Sequence, residues 1–357
     1  MSKRMTMSWT LAPASEFGAH RGDWAALHAA AGGSAVLAPD FVAPLLAAFA
    51  AGPELLATCR GDGRLLAMAV LAPSRRGAWA SFQPAQAPVG LWLQLPGLDS
   101  GLLVRALFGA LPGFPLLCAL TQMDPMLMPR PSGGPALGTL DYIRTARVTL
   151  SGGFDAYWDA RGKNLRSNLK KQRNRLEREG VAGRLDIARA PGAMAQAVLD
   201  YSRLEGSGWK AGAGTAVRAD DAQGRFYRAM LEAMASRDAA SVYRYYLGQE
   251  LVAMDLCIED RDSIVVLKTA YDENAPAWLS PALLMREEAM RALFASGRFA
   301  RLEFYGRVME WHTRWTEEVR TMYHVNHYRW PALRHLHALR EARRRRASGA
   351  PIDEQPS

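Results

Sequence analysis

Between residues 161 and 180, "RGKNLRSNLKKQRNRLEREG", apolar and basic positions separate onto different sides of a helical wheel. Leu165, Leu169 and Leu176 recur at helical spacing and Gln172 completes the stripe, which predicts a helix docked on a core. Lys163, Arg166, Lys170 and Arg173 form a basic stripe beside it. Arg173 with Glu177 and Arg175 with Glu179 are opposite charges four apart, and Gly180 is a stop signal. Further on, "SVYRYYLGQELVAMDLCIED" predicts a hairpin turning at Gly248-Gln249, and "SIVVLKTAYDE" a third strand after the polar turn at 260–262. "NAPAWLSPALLMREEAMRALFASG" predicts a helix with Ser280 as its cap, Pro281 at its first position, and Met285, Ala289 and Leu293 on its apolar stripe. "RFARLEFYG" reads as a strand, "EWHTRWTEEVR" as a short helix and "TMYHVNHYRW" as a last strand. The order is helix, helix, three antiparallel strands, helix, strand, helix, strand.

The pattern occurs twice. "RLLAMAVLA" at 64–72 faces "ELVAMDLCI" at 250–258 at an offset of 186 residues. At the same offset Trp92-Leu93 faces Trp278-Leu279, and "RALF" at 105–108 faces "RALF" at 291–294. Three matches in one ungapped register predict a duplication. The expected fold is α+β, with an N-terminal domain at 8–149, a C-terminal domain at 150–330 and a basic helix and tail at 331–357.

Composition locates the charge. The chain of 357 residues is 49% hydrophobic with 10 Trp, enough for two cores and incompatible with a disordered protein. The net charge is +9, yet residues 161–180 carry +6 (eight bases, two acids) and residues 331–348 carry +5 (six arginines, one glutamate). The rest of the chain is therefore nearly neutral, which fits a local anionic partner better than a coat of nucleic acid. Cys59, Cys118 and Cys257 sit in separate apolar runs and predict buried free thiols. No signal-type run opens the sequence, and "FVAPLLAAFAAG" is too short to cross a bilayer, so a cytoplasmic location with no membrane span is expected.

Several stretches resemble one family. "FDAYWDARGKNLRSNLKKQRNRLE", "EGSGWKAGAGTA", "LKTAYDENAPAWLSPALLM" and "RWTEEVRTMY", with "FGAHRGDWAAL" and "FQPAQAPVG" in the first half, are similar to GNAT acetyltransferases of the CelD/BcsL-like branch found with cellulose and exopolysaccharide biosynthesis. The resemblance covers most of residues 8–330 and implies two tandem GNAT-like domains, each a mixed, mainly antiparallel sheet flanked by helices. Tandem GNAT domains also resemble the Fem-type aminoacyl transferases of cell-wall synthesis. The usual GNAT pyrophosphate fingerprint is absent, Ala282 stands where the branch tends to carry Gly, and Trp311-His312 stands where it tends to carry Tyr-Lys.

The resemblance implies an acyltransferase that takes acetyl-CoA or another acyl-CoA and acylates an amino or hydroxyl group of a sugar precursor. The alternatives are a Fem-like enzyme using charged tRNA, and a non-catalytic scaffold in polysaccharide assembly. GNAT chemistry needs a proton acceptor and a proton donor around an already activated thioester. Asp272 after a strand, His312 and Tyr305 are the candidates. The helix start at Ser280, Pro281, Ala282 and Leu283 would meet the coenzyme's pyrophosphate. Trp209, Lys210, Lys268 and Tyr271 are candidate acceptor contacts. Arg166 and Lys170 on the basic stripe would meet an anionic sugar, a nucleotide-sugar phosphate or the coenzyme's phosphates; a solvated face is the plain alternative. No metal is expected, because His324 and His327, three apart on a strand, face opposite ways.

Overall fold

The computed structural model describes residues 7–206 and 217–348. Each half opens with an edge strand, continues through two helices and a hairpin, and returns through a helix to further strands. In the first half these are β1 (Met7–Pro13), α1 (Phe17–Ala30), α2 (Pro39–Phe49), β2 (Leu55–Gly61), β3 (Arg64–Arg75), β4 (Ala78–Ser81), the short β5 (Trp92–Gln94), α3 (Ser100–Leu107), β6 (Leu117–Met123) and β7 (Leu137–Thr149). The second half adds α4 (Phe154–Asp159) and α5 (Lys163–Arg178) in front. It then runs β8 (Gly183–Ala188), α6 (Met194–Gly206), α7 (Ala222–Ala235), β9 (Ala240–Leu247), β10 (Glu250–Glu259), β11 (Ser263–Tyr271), α8 (Pro281–Ser296), β12 (Arg301–Phe304), α9 (Glu310–Thr313) and β13 (Val319–Tyr328). Helix α10 (Pro331–Ser348) follows.

All these strands join one sheet in the order β1-β2-β3-β4-β6-β13-β7-β12-β11-β10-β9-β8, with β5 on β3. The order reads the same from both ends if β8 to β12 repeat β1, β2, β3, β4 and β6. Pairing is antiparallel except at β4–β6 and β11–β12, which occupy matching positions. The duplication extends to an irregularity. A β-bulge skips Leu66 in the β2–β3 ladder and Val252 in the β9–β10 ladder, again 186 residues apart. Such a bulge re-aims the strand, and both halves carry it at the same place.

The two halves exchange their last strands. β7, from the first half, pairs with β12 at Ala146–Thr149, whereas β13, from the second, pairs with β6. β7 and β13 also pair with each other along the centre, so the sheet has no break at residue 149. Helices α2 and α7 meet over one face, where Phe41 and Phe49 contact Phe226. On separate cores lie α3 in the first half and α4, α5 and α8 in the second. Strand β8 is absent from the sequence reading; it is a half-exposed edge strand with no clear alternation. Cys59, Cys118 and Cys257 are buried and unpaired, as expected.

Helix α5 buries the stripe anticipated for it: Leu165, Leu169, Gln172 and Leu176. One predicted ion pair changes. Arg173 reaches across to Glu287 (2.9 Å) and Glu288 (2.8 Å) on α8 instead of Glu177, while Arg175 does meet Glu179 at 2.8 Å. A buried glutamate on a packed neighbour is a better partner than an exposed one on the same helix, because there is less water to compete.

Candidate active site at the start of helix α8

Where β11 ends, the chain turns through Asp272 and Pro276 and enters α8. The turn, the first two turns of α8 and the α9 region enclose a cleft of about 440 Å³. Its walls hold Thr269, Tyr271 and Asp272, then Ser280, Pro281, Ala282, Leu283 and Arg286, with Trp311, Arg314 and Trp315 opposite. Six residues proposed from sequence thus come together here: Tyr271, Asp272, Ser280, Pro281, Ala282 and Leu283.

Three groups define its chemistry. Asp272 holds its turn by accepting the Asn274 N–H at 2.9 Å, so its carboxylate is positioned at the end of the strand. Beneath it Arg286 and Asp255, both almost fully buried, form an ion pair at 2.8 Å. Asp255 also accepts from Thr269 Oγ1 at 2.5 Å. Burial pushes the Asp255 carboxyl up, and Arg286 and Thr269 pull it back. Trp315 is wholly buried, and its Nε1–H has no acceptor among the described residues. A buried donor without an acceptor is costly.

The helix start is fastened from outside. Ser280 makes no side-chain cap, contrary to the sequence expectation; its backbone N–H instead donates to Gln172 Oε1 on α5 at 2.9 Å. Pro281 has no N–H, and those of Leu283 and Leu284 go to the Ser280 carbonyl. Ala282 therefore carries the one N–H of this turn with no acceptor among the described residues. Gln172→Leu is expected to keep the buried surface but orphan the Ser280 N–H, costing about 1–3 kcal/mol. Chemical denaturation would show it as a lower midpoint at unchanged slope; an unaltered midpoint would mean that the bond contributes nothing.

Other proposed residues lie elsewhere. His312 is buried behind Trp311, stacked on it with ring centroids 3.5 Å apart and edge-on to Phe304. Its Nδ1 accepts the Met309 N–H at 2.9 Å, and burial lowers its pKa to about 4, so the ring is neutral and its basic nitrogen is occupied. Neither His312 nor Tyr305 lines the cleft. Tyr305 lies at the seam between the halves under the Arg320 guanidinium, 5.3 Å from its ring, and burial raises its pKa strongly. Lys268 sits 5.9 Å from the Tyr227 ring on α7, outside the cleft walls. Arg166 is tied to Asp159 at 3.0 Å, and Lys170 is exposed on the outer face of α5. Trp209 and Lys210 lie outside the described residues. Among the described residues no group of three or more His, Cys, Asp or Glu could hold a metal ion. Arg286, Asp255, Trp311, Arg314 and Trp315 were not foreseen from sequence.

His312 and His327 share one consequence. Both are buried with pKa lowered from 6.5 to about 4, so the neutral form is held in the fold. Their contribution is fully present above about pH 6.5 and is lost as pH falls toward 4, up to roughly 2–3 kcal/mol for each ring. Thermal denaturation should show Tm falling across that window, and His312→Asn should remove part of the slope. A flat Tm from pH 6.5 to 4.5 would contradict it.

Residues 163–313 match the model of the acetyltransferase (GNAT) domain. This region is similar to a GNAT acetyltransferase domain. No curated protein matches the chain. Among solved structures, the C-terminal domain of a putative lysylphosphatidylglycerol synthetase from Agrobacterium fabrum is 12% identical, with 86% of this chain and 92% of that one covered at a TM-score of 0.52. The structure of L-PGS from Bacillus licheniformis gives 12%, 86%, 91% and 0.50. A tandem GNAT protein from the clavulanic acid pathway gives 13%, 90%, 98% and 0.47. At such identities the likeness is one of fold. The cleft lies inside the matched GNAT region, apart from Trp315 and Arg314 at its far edge.

Proposed function

We propose that the chain is a GNAT-type acyltransferase whose donor occupies the cleft at the start of α8, in the second half alone. The observation that carries this is an asymmetry within the duplication. Positions 186 residues before Tyr271, Asp272 and Arg286 are Ala85, Gln86 and Ser100, so at these positions the first half has no corresponding carboxylate or cation. A duplicated fold that keeps charged groups in one copy has concentrated its chemistry there.

Acyl-CoA, the usual donor of the GNAT fold, supplies an activated thioester. The free Ala282 N–H and the positive end of α8 suit one phosphate contact, and Arg314 adds a cation at the opposite wall. Asp272 takes the proton from the acceptor's amine or hydroxyl as that atom bonds the acyl carbon, and returns it to the departing sulfur. The acceptor is an amino or hydroxyl group of a sugar or polysaccharide precursor, the class implied by the resemblance to exopolysaccharide enzymes. Burial of His312 removes it from the proposed proton path.

A second reading has one observation in its favour. Helix α5, with Lys170, Lys171 and Arg178 exposed, is joined to the cleft mouth through Gln172–Ser280 and through Arg175, whose guanidinium lies 4.0 Å from the Trp278 ring centroid. A basic face beside a helix start with one free N–H suits a polyanionic donor such as charged tRNA as well as a coenzyme. Titration distinguishes the two. Acyl-CoA affinity should fall about tenfold or more in Ala282→Phe, roughly 1.4 kcal/mol, because the ring fills the cleft where the N–H points. Acyl-CoA binding unchanged by this substitution would remove the donor from the cleft. Salt-sensitive binding of charged tRNA without acyl-CoA binding would favour the second reading.

A further inference from the structure

The end of the molecule remote from this chemistry carries an unexplained surface. Helix α10 turns Leu333, Arg334 and His337 toward the body, where Arg334 donates to the Gly134 carbonyl at 2.6 Å. Leu336 and Leu339 lie on its other side, 45% and 60% exposed. At its head stands Trp330, 47% exposed, whose ring meets Phe114, 60% exposed, with centroids 5.8 Å apart. Arg329 covers the edge of this pair, its guanidinium 4.3 Å from the Phe114 centroid. Phe114 has a φ of +51°, a conformation that a bulky side chain seldom adopts, so the loop is constrained to hold the ring where it is. The same helix has six arginines against one glutamate over 331–348. Among the described residues no ion pair involves Arg329, Arg334, Arg340 or Arg343.

We infer that Trp330, Phe114, Leu336 and Leu339, with Arg340 and Arg343 of α10, form a docking surface for an anionic lipid bilayer. Exposed leucines on one side of a helix, with exposed aromatic rings at its head and arginine beside them, match the layering of a bilayer boundary: acyl chains below, phosphates above. The leucines decide between partners. A nucleic acid would use the arginines and could stack on Trp330, but it offers exposed leucine nothing. Among the described residues no helix is long and apolar enough to cross a membrane, so the contact would be peripheral, with α10 lying in the plane of the surface.

The test is flotation of the full chain with phosphatidylserine–phosphatidylcholine vesicles and with pure phosphatidylcholine vesicles. Binding is expected only to the anionic vesicles and should weaken with salt. The double variant Leu336→Gln, Leu339→Gln should lower it about tenfold or more, and Arg340→Gln with Arg343→Gln should lower it similarly. All four positions are exposed, so both variants should keep the wild-type circular dichroism and Tm. Absence of flotation would overturn the inference. So would binding that salt weakens but the leucine changes leave intact, since that is basicity alone. RNA that displaces wild-type protein and leucine variant equally from vesicles, after equal binding by both, would overturn it as well.

Discussion

Asp272→Asn should lower turnover by on the order of 10²–10⁴ while leaving donor affinity nearly unchanged. The amide keeps the shape of the carboxylate and can still accept the Asn274 N–H that fixes the turn. It cannot take a proton. Because GNAT-type transfer starts from an activated acyl group, proton removal from the acceptor is the main task left to a side chain. The loss should therefore fall on kcat. His312→Gln, assayed beside it, should keep more activity, since His312 supports Trp311 from behind and does not reach the cleft. Wild-type turnover in Asp272→Asn would assign the base to water or to another group.

The second large effect concerns the seam. Arg320 on β13 meets Asp124 through Nε at 2.9 Å and Nη2 at 2.7 Å, and Glu303 on β12 through Nη1 at 2.7 Å. All three side chains are largely buried, and Asp124 follows β6 of the first half. Arg320→Met should cost about 3–5 kcal/mol, because it strands two carboxylates away from water. The pH dependence carries a sign. Burial raises the Glu303 carboxyl above its ordinary range even in the wild type, with Arg320 as the main opposing influence. Without Arg320 the Glu303 carboxyl should be raised further in the folded state. Its neutral form then favours the fold below the unfolded pKa, and that contribution is lost as pH rises through the folded value. The variant should thus regain stability relative to the wild type on acidification. Denaturation at pH 7 and pH 5 measures both effects; a loss below 1 kcal/mol at pH 7 would show that the seam does not depend on this arginine.

The duplication was legible because it is written in side chains that face cores. "RLLAMAVLA" and "ELVAMDLCI" became β3 and β10, and both "RALF" stretches became the ends of helices. The bulge at Leu66 and Val252 came with the register, although no single residue announces it. The strand exchange was not legible. β7 and β13 present the same apolar content whether they pair within their own half or across the seam, so pattern alone cannot choose. In α5 the polar Gln172 on an apolar stripe did signal a buried bond, but its acceptor role toward Ser280 spans 108 residues and needs the fold. Asp255 inside "LVAMDLCI" was a comparable signal, an acid in a strand buried on both sides, and it marks the floor of the cleft. Its partner Arg286 looked like an ordinary surface residue of an amphipathic helix. His312 misled for the opposite reason: a histidine on a short helix reads as accessible, and only packing shows it buried behind Trp311.

Hydrogen exchange read by mass spectrometry, with and without an acyl-CoA, tests the placement of the donor most directly. Binding at the start of α8 should slow exchange in peptides covering residues 271–286 and leave the corresponding first-half segment, residues 85–100, unchanged. Protection confined to the first-half segment, or none in 271–286 at a saturating donor concentration, would contradict it.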